Sequence, residues 1–250
     1  MKISMILTTL LLVFGTSTGP LNEPVLHEEP IGAWQLQTIN GAAHEFSGSL
    51  LIKDGYIFYT EYDVDEKLFE GSLGGQYQYK DGVFDYTIEF DTWQAERIGM
   101  TINTRIGLTA DKLTVKQAVG DTQETVMVFK RADDGTGDLA GAWRITDRMR
   151  NGTMQAMRQG SRKTIKMITG TRFQWAAFDP ETKRFSGTGG GTITLKDGEY
   201  TEHIEFFSRN KDRVGASLSF DYKVDGIKWD HSGMSSSGNP IREIWTRQNQ

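Results

Sequence analysis

The sequence predicts an all-β protein: two tandem antiparallel meander β-barrels related by internal duplication. Three observations carry this. One register of similarity links the two halves of the chain. Asp-Gly turn signals recur at matching places. Short runs between those turns alternate apolar and polar residues.

The duplication comes first. Gly32-Ala33-Trp34 recurs as Gly141-Ala142-Trp143, a shift of 109 residues. From Ile57 to Arg131 the chain aligns with Phe173 to Arg247 at a constant shift of 116, without gaps. Asp63, Lys67, Phe69 and Gly71 meet Asp179, Lys183, Phe185 and Gly187, and Ile88-Glu89-Phe90 meets Ile204-Glu205-Phe206. Roughly one aligned position in five is identical, and the matches cluster at turns and strand faces, as copying of one unit requires. The units run from 32 to 131 and from 141 to 250, joined by a polar linker at 132–140.

The strands follow. Lys-Asp-Gly occurs at 53–55, 80–82 and 196–198. Asp-Gly tolerates the positive φ of a tight hairpin turn. After the second of these, Phe84, Tyr86, Ile88 and Phe90 alternate with Asp85, Thr87 and Glu89. In the second copy Tyr200, Glu202, Ile204 and Phe206 share one face. Period-2 patterning marks half-buried strands, and seven or eight per unit suit a meander closed into a barrel. Gly189-Gly190-Gly191 precedes a strand, so it reads as a bulge or tight bend.

Composition sets the context. The chain has 250 residues, no cysteine and 11% aromatics. Lys2, an apolar run over 6–14 and small residues at Gly15, Thr16 and Ser17 predict a signal peptide over 1–17, followed by an extension over 18–31. That run is shorter than the ~20 residues of a membrane span. The expected location is periplasmic or secreted, with no cysteine for a lipid anchor. Without disulfides, each unit must bury an adequate core. No metal site or cofactor is expected, because His27, His44, His203 and His231 have no ligand spacing. Nucleic acid is not an expected partner, since no recognition motif is present.

Gly-x-Trp at the start of a unit, with an Arg on its last strand, resembles the lipocalin and calycin barrels. The resemblance implies that the Trp closes one barrel end and the Arg packs across its ring. The pairs would be Trp34 with Arg131 and Trp143 with Arg247. The second half also resembles lipocalin-like domains of unknown function in secreted Bacteroidetes proteins, which brings no chemistry with it.

Differences between the copies point to function. Residues 32–131 hold 9 basic and 15 acidic side chains, whereas 141–250 hold 18 basic and 12 acidic. Much of the excess lies in a basic stretch from Arg144 to Lys166, where the second copy is seven residues longer. Arg158, Arg162 and Lys163 are candidate anion-binding residues at a barrel mouth; alternatively the basic unit docks on the acidic one. Glu202 replaces Tyr86 and His231 replaces Val115. If the apolar faces point inward, both line one cavity, as ligand-orienting groups or as an acid and base. Trp175, Tyr200, Tyr222 and Trp229 would line the rest. The expectation is a binding barrel for a small organic or glycan ligand. The alternatives are a lyase or hydrolase acting on an anionic polysaccharide, or a non-catalytic surface or assembly module.

Overall fold

The computed structural model describes residues 28–119, 123–235 and 237–248. The expected signal peptide lies outside the described residues. The first unit contains β1 (Gly32–Ile39), β2 (Ala42–Ala43), β3 (Ser47–Lys53), β4 (Tyr56–Asp63), β5 (Leu68–Lys80), β6 (Val83–Asp91), β7 (Thr101–Leu108), β8 (Lys112–Val119) and β9 (Gln123–Asp133). The second contains β10 (Gly141–Arg150), β11 (Thr153–Ala156), β12 (Lys163–Ile168), β13 (Arg172–Asp179), β14 (Arg184–Lys196), β15 (Glu199–Phe207), β16 (Ser217–Asp225), β17 (Lys228–Met234) and β18 (Pro240–Arg247). Each unit is an antiparallel meander whose first strand also pairs with its last, β1 with β9 and β10 with β18, so each closes into an eight-stranded barrel. The short β2 and β11 extend the first strands as hairpins.

The turns form for the reason the sequence suggests. Asp54, Asp81 and Asp197 adopt φ of 46°, 50° and 52°, each followed by a glycine at positive φ. That double left-handed turn matches the twist of adjacent strands. The tryptophan ends also repeat. Trp34 Nε1 donates to Pro30 O at 2.9 Å and Trp143 Nε1 to Leu139 O at 2.8 Å. Arg131 Cζ lies 4.0 Å from the Trp34 ring centroid, and Arg247 Cζ lies 4.3 Å from that of Trp143. Arg131 donates to Ile31 O and Arg247 to Ala140 O, so each arginine also satisfies a carbonyl beside its tryptophan.

Alternation explains why some strands are buried on both faces. Along β12, Lys166 and Ile168 point into the barrel, while Ile165 and Met167 point outward into a core shared with the first unit. That shared core joins Leu51, Phe58 and Phe90 to Ile165, Met167 and Phe178. A bulge builds it. Gly74 pairs with Phe90 and Gly75 with Ile88, leaving Glu89 as the extra residue; Gly190, Gly191, Phe206 and Ile204 repeat this around Glu205. At Gly75 and Gly191 a Cβ would collide with the carbonyl oxygens of Thr87 and His203, so only glycine admits the bulge. Here the expected face of Phe84, Tyr86, Ile88 and Phe90, and that of Tyr200 to Phe206, is corrected. The bulge sends Phe90 and Phe206 outward to the other barrel.

The junction has pseudo-twofold symmetry. Phe90 meets Phe178 with ring centroids 4.9 Å apart, and Tyr62 meets Phe206 at 4.9 Å. Phe90 and Phe206 are duplicates of one another, as are Tyr62 and Phe178. Each copy thus presents the same patch to the other, as in an isologous dimer. Polar contacts surround it: Glu89 takes Lys163 Nζ at 2.6 Å, Glu205 takes Arg172, and Gln174 bonds Thr60 and Ser72. Glu89 therefore pairs across the junction and not with the neighbouring Arg97. Arg97 binds Asp91 instead, at 3.1 Å.

Candidate functional site

The second barrel holds a cavity of about 330 Å³ lined by residues of β10 and of β12 to β18, with the exposed Arg162 and Arg209 at its edge. Glu202, on β15, and His231, on β17, both line it, at 5% and 2% exposure. No hydrogen bond or ion pair joins the two. Glu202 Oε1 accepts from Lys166 Nζ at 2.7 Å and from the Tyr200 hydroxyl at 2.6 Å. His231 Nδ1 stands 3.6 Å from Glu243 Oε2, which is attraction without a hydrogen bond. Glu243 is held instead by Arg148 at 2.6 Å and by the Trp245 indole at 3.1 Å.

Five ionisable side chains therefore make one cluster: Lys166, Glu202, His231 and Glu243, all buried, and Arg148, exposed at its edge. Three of them lie beyond the expected pair. Glu243 replaces Met127 under the same shift of 116 that singled out Glu202 and His231. Lys166 sits opposite Trp143 as Leu50 sits opposite Trp34, and Arg148 opposite Glu243 as Ile39 opposite Met127. In the first barrel the same five places are Ile39, Leu50, Tyr86, Val115 and Met127, all packed in its apolar core.

The electrostatics follow from burial and neighbours. Lys166 Nζ also lies 5.2–5.7 Å from the rings of Trp245, Trp229 and Tyr200, an aromatic cage for a buried cation. Burial, and then the Glu202 charge, push the Tyr200 phenol well above its ordinary value, so it stays a donor. Burial lowers the His231 imidazole and outweighs the pull of the nearby carboxylates, so the ring is neutral at pH 7. Burial opposes ionisation of Glu243, but His231, Arg148 and Lys166 prevail and hold it at about 2.

The other expected site residues separate. Trp175 lines the cavity, as does Arg162 at its rim. Tyr200 and Trp229 are fully buried in the core beneath the cluster rather than on the cavity wall. Tyr222 packs against that core and also does not line the cavity. Arg158 is exposed on the longer loop and is not a lining residue. Lys163 points out of the barrel into the junction with Glu89, because it and Lys166 have opposite strand parity. The basic stretch thus divides between the cavity, at Arg162, and the junction, at Lys163. His203 faces outward and contacts Ser217 and Thr194. Arg209, overlooked in the sequence, lines the rim with its Cζ 5.8 Å from the Trp175 ring.

No protein-family model matches the chain, and no curated protein matches it. Among solved structures, it is similar to a tryptophan-to-alanine mutant of the vaccine antigen Transferrin Binding Protein B (TbpB) from Haemophilus parasuis Hp5, at 9% identity and a TM-score of 0.24. The similarity covers 83% of this chain, which spans 61% of that one. No helix among the described residues is long and apolar enough to cross a membrane.

Proposed function

We propose that the second barrel binds a small organic or glycan ligand in its cavity, and that the chain works outside the cytoplasm after removal of residues 1–17. In this reading residues 32–131 and 141–250 are a structural and a binding barrel of lipocalin-like type, with 132–140 as their linker.

One observation carries the binding role. Four buried positions that are uncharged in the first barrel, Leu50, Tyr86, Val115 and Met127, are Lys166, Glu202, His231 and Glu243 in the second, around a cavity. Desolvating charges costs several kcal/mol per ion, and apolar replacements of a buried pair are often neutral or stabilising. The scaffold closes without these charges in its first copy. Folding therefore does not account for them, whereas orienting a ligand by a few convergent polar groups does.

The test is a screen of organic acids, alcohols and oligosaccharides by thermal shift, followed by calorimetry. Hits are expected to lose affinity at least tenfold in Trp175→Ala. Hits that bind equally well to that variant and to a Leu218→Trp variant, which fills the cavity, would place binding elsewhere and remove this function.

A further inference from the structure

We propose that the ligand is a small hydroxylated carboxylate, with its anionic group between Arg162 and Arg209 at the mouth and its hydroxyl donating to His231 inside. This rests on the binding role given above to the second barrel and specifies what that barrel selects.

The cations that line the cavity are not equivalent. Arg148 is committed to Glu243 and Lys166 to Glu202. Among the described residues, Arg162 and Arg209 form no ion pair, and both line the rim. Arg209 Nε donates to Ser186 O at 2.6 Å, which fixes the guanidinium and leaves its two terminal nitrogens for a ligand. Its counterpart in the first barrel is Trp93, beside Tyr59 where the second barrel has Trp175. An uncharged ring at one barrel end has become a cation over an indole at the other. Guanidinium groups bind carboxylates through paired N–H donors, and the Trp175 ring supplies a flat wall for the ligand's body.

The inner end requires a donor. Neither ring nitrogen of His231 has a hydrogen-bond partner, although the side chain is 2% exposed and lines the cavity. A buried polar atom without a partner costs stability until something satisfies it. The Glu243 carboxylate, 3.6 Å from Nδ1, favours the tautomer with the proton on Nδ1. Nε2 is then an acceptor, and a ligand hydroxyl completes it. A cationic ligand would meet the free arginines, and a purely apolar one would leave Nε2 unsatisfied.

The experiment uses the mature protein, with neutral N-phenyl-1-naphthylamine as a fluorescent reporter of cavity occupancy. Three competitors displace it: 4-hydroxycinnamate, its methyl ester, and cinnamate. The expected result is that 4-hydroxycinnamate binds at least tenfold tighter than either of the others. Arg162→Gln combined with Arg209→Gln should erase the preference over the ester. His231→Phe should erase the preference over cinnamate, while retained reporter binding shows that the variant is folded. If the reporter binds and the ester or cinnamate competes as well as the hydroxy acid, or none of the three competes, the assignment is overturned while the cavity still binds ligands. If neither reporter nor competitor binds, the binding role itself fails.

Discussion

Lys166 Nζ sits 2.7 Å from Glu202 Oε1, and both side chains are less than a tenth exposed. In the first barrel the same two positions are Leu50 and Tyr86. The first barrel therefore supplies a ready-made uncharged replacement for each member of a buried ion pair.

Breaking that pair on one side should be costly. Lys166→Leu alone leaves Glu202 charged and uncompensated, with an expected loss of about 3–5 kcal/mol. Lys166→Leu combined with Glu202→Tyr restores the first barrel's chemistry and should recover most of that loss. Urea denaturation of wild type, single and double variants measures the difference. A double variant no more stable than the single one would show that the cavity walls cannot repack.

Acid sensitivity should be concentrated in the same cluster. Glu243 is held at about 2 and the His231 imidazole lies below its ordinary value. Both bind fewer protons folded than unfolded in the acid range, so unfolding takes up protons there. The stability from neutral His231 is fully present above its ordinary value and is lost as pH falls through that region. The stability from ionised Glu243 is lost between its ordinary value of 4.5 and about 2. The melting temperature should fall from pH 7 to pH 3, and less steeply in His231→Val with Glu243→Met, the first barrel's residues at these positions. Equal slopes by circular dichroism would assign the acid response to other carboxylates.

The two arginine caps should differ in cost. Arg131 packs on Trp34 and bonds its own barrel, while Arg247 packs on Trp143 and also reaches Asp54 of the other barrel at 2.8 Å. Arg247→Ala should therefore cost more than Arg131→Ala, by about 1 kcal/mol for the added charged contact. A double-mutant cycle with Asp54→Ala isolates that contact. A coupling near zero would show that Asp54 adds nothing to the cap.

The junction should make unfolding of the two barrels one event. Phe90→Ala or Phe206→Ala removes a buried ring from the shared core, with an expected cost of about 3–5 kcal/mol each. Phe178→Asp places a charge against Phe90 and should split a single thermal transition into two. Calorimetry distinguishes these cases. Two transitions in the wild type would contradict a cooperative junction.

Much of the scaffold was legible because its causes are local. Asp-Gly turns and the Gly-Ala-Trp repeat mark strand ends directly, and the partners Arg131 and Arg247 follow from the one shift. The pair Glu202 and His231 was legible by comparing copies, and Glu243 was available to the same comparison at Met127. Lys166 was hidden differently. Its counterpart Leu50, at the same shift of 116, precedes the stretch of clear similarity that starts at Ile57, so Lys166 reads as one more cation in a basic run rather than as an inner residue of β12. The bulge at Glu89 and Glu205 was illegible from alternation, because one extra residue reverses strand parity and turns Phe90 and Phe206 outward. The junction depends on that reversal, so its composition could not be read from period-2 patterning.

The pseudo-twofold junction also bears on how such a chain diverges. In a dimer of identical chains, every substitution is made twice, so a destabilising inner charge would burden both subunits. Joined in one polypeptide, the copies contribute matching rings to one contact, Phe90 with Phe178 and Phe206 with Tyr62, yet each interior changes alone. The first barrel can remain an apolar anchor while its twin loses part of its packing to four buried ionisable side chains. Tandem linkage thus lets one interior vary while the other keeps its apolar packing.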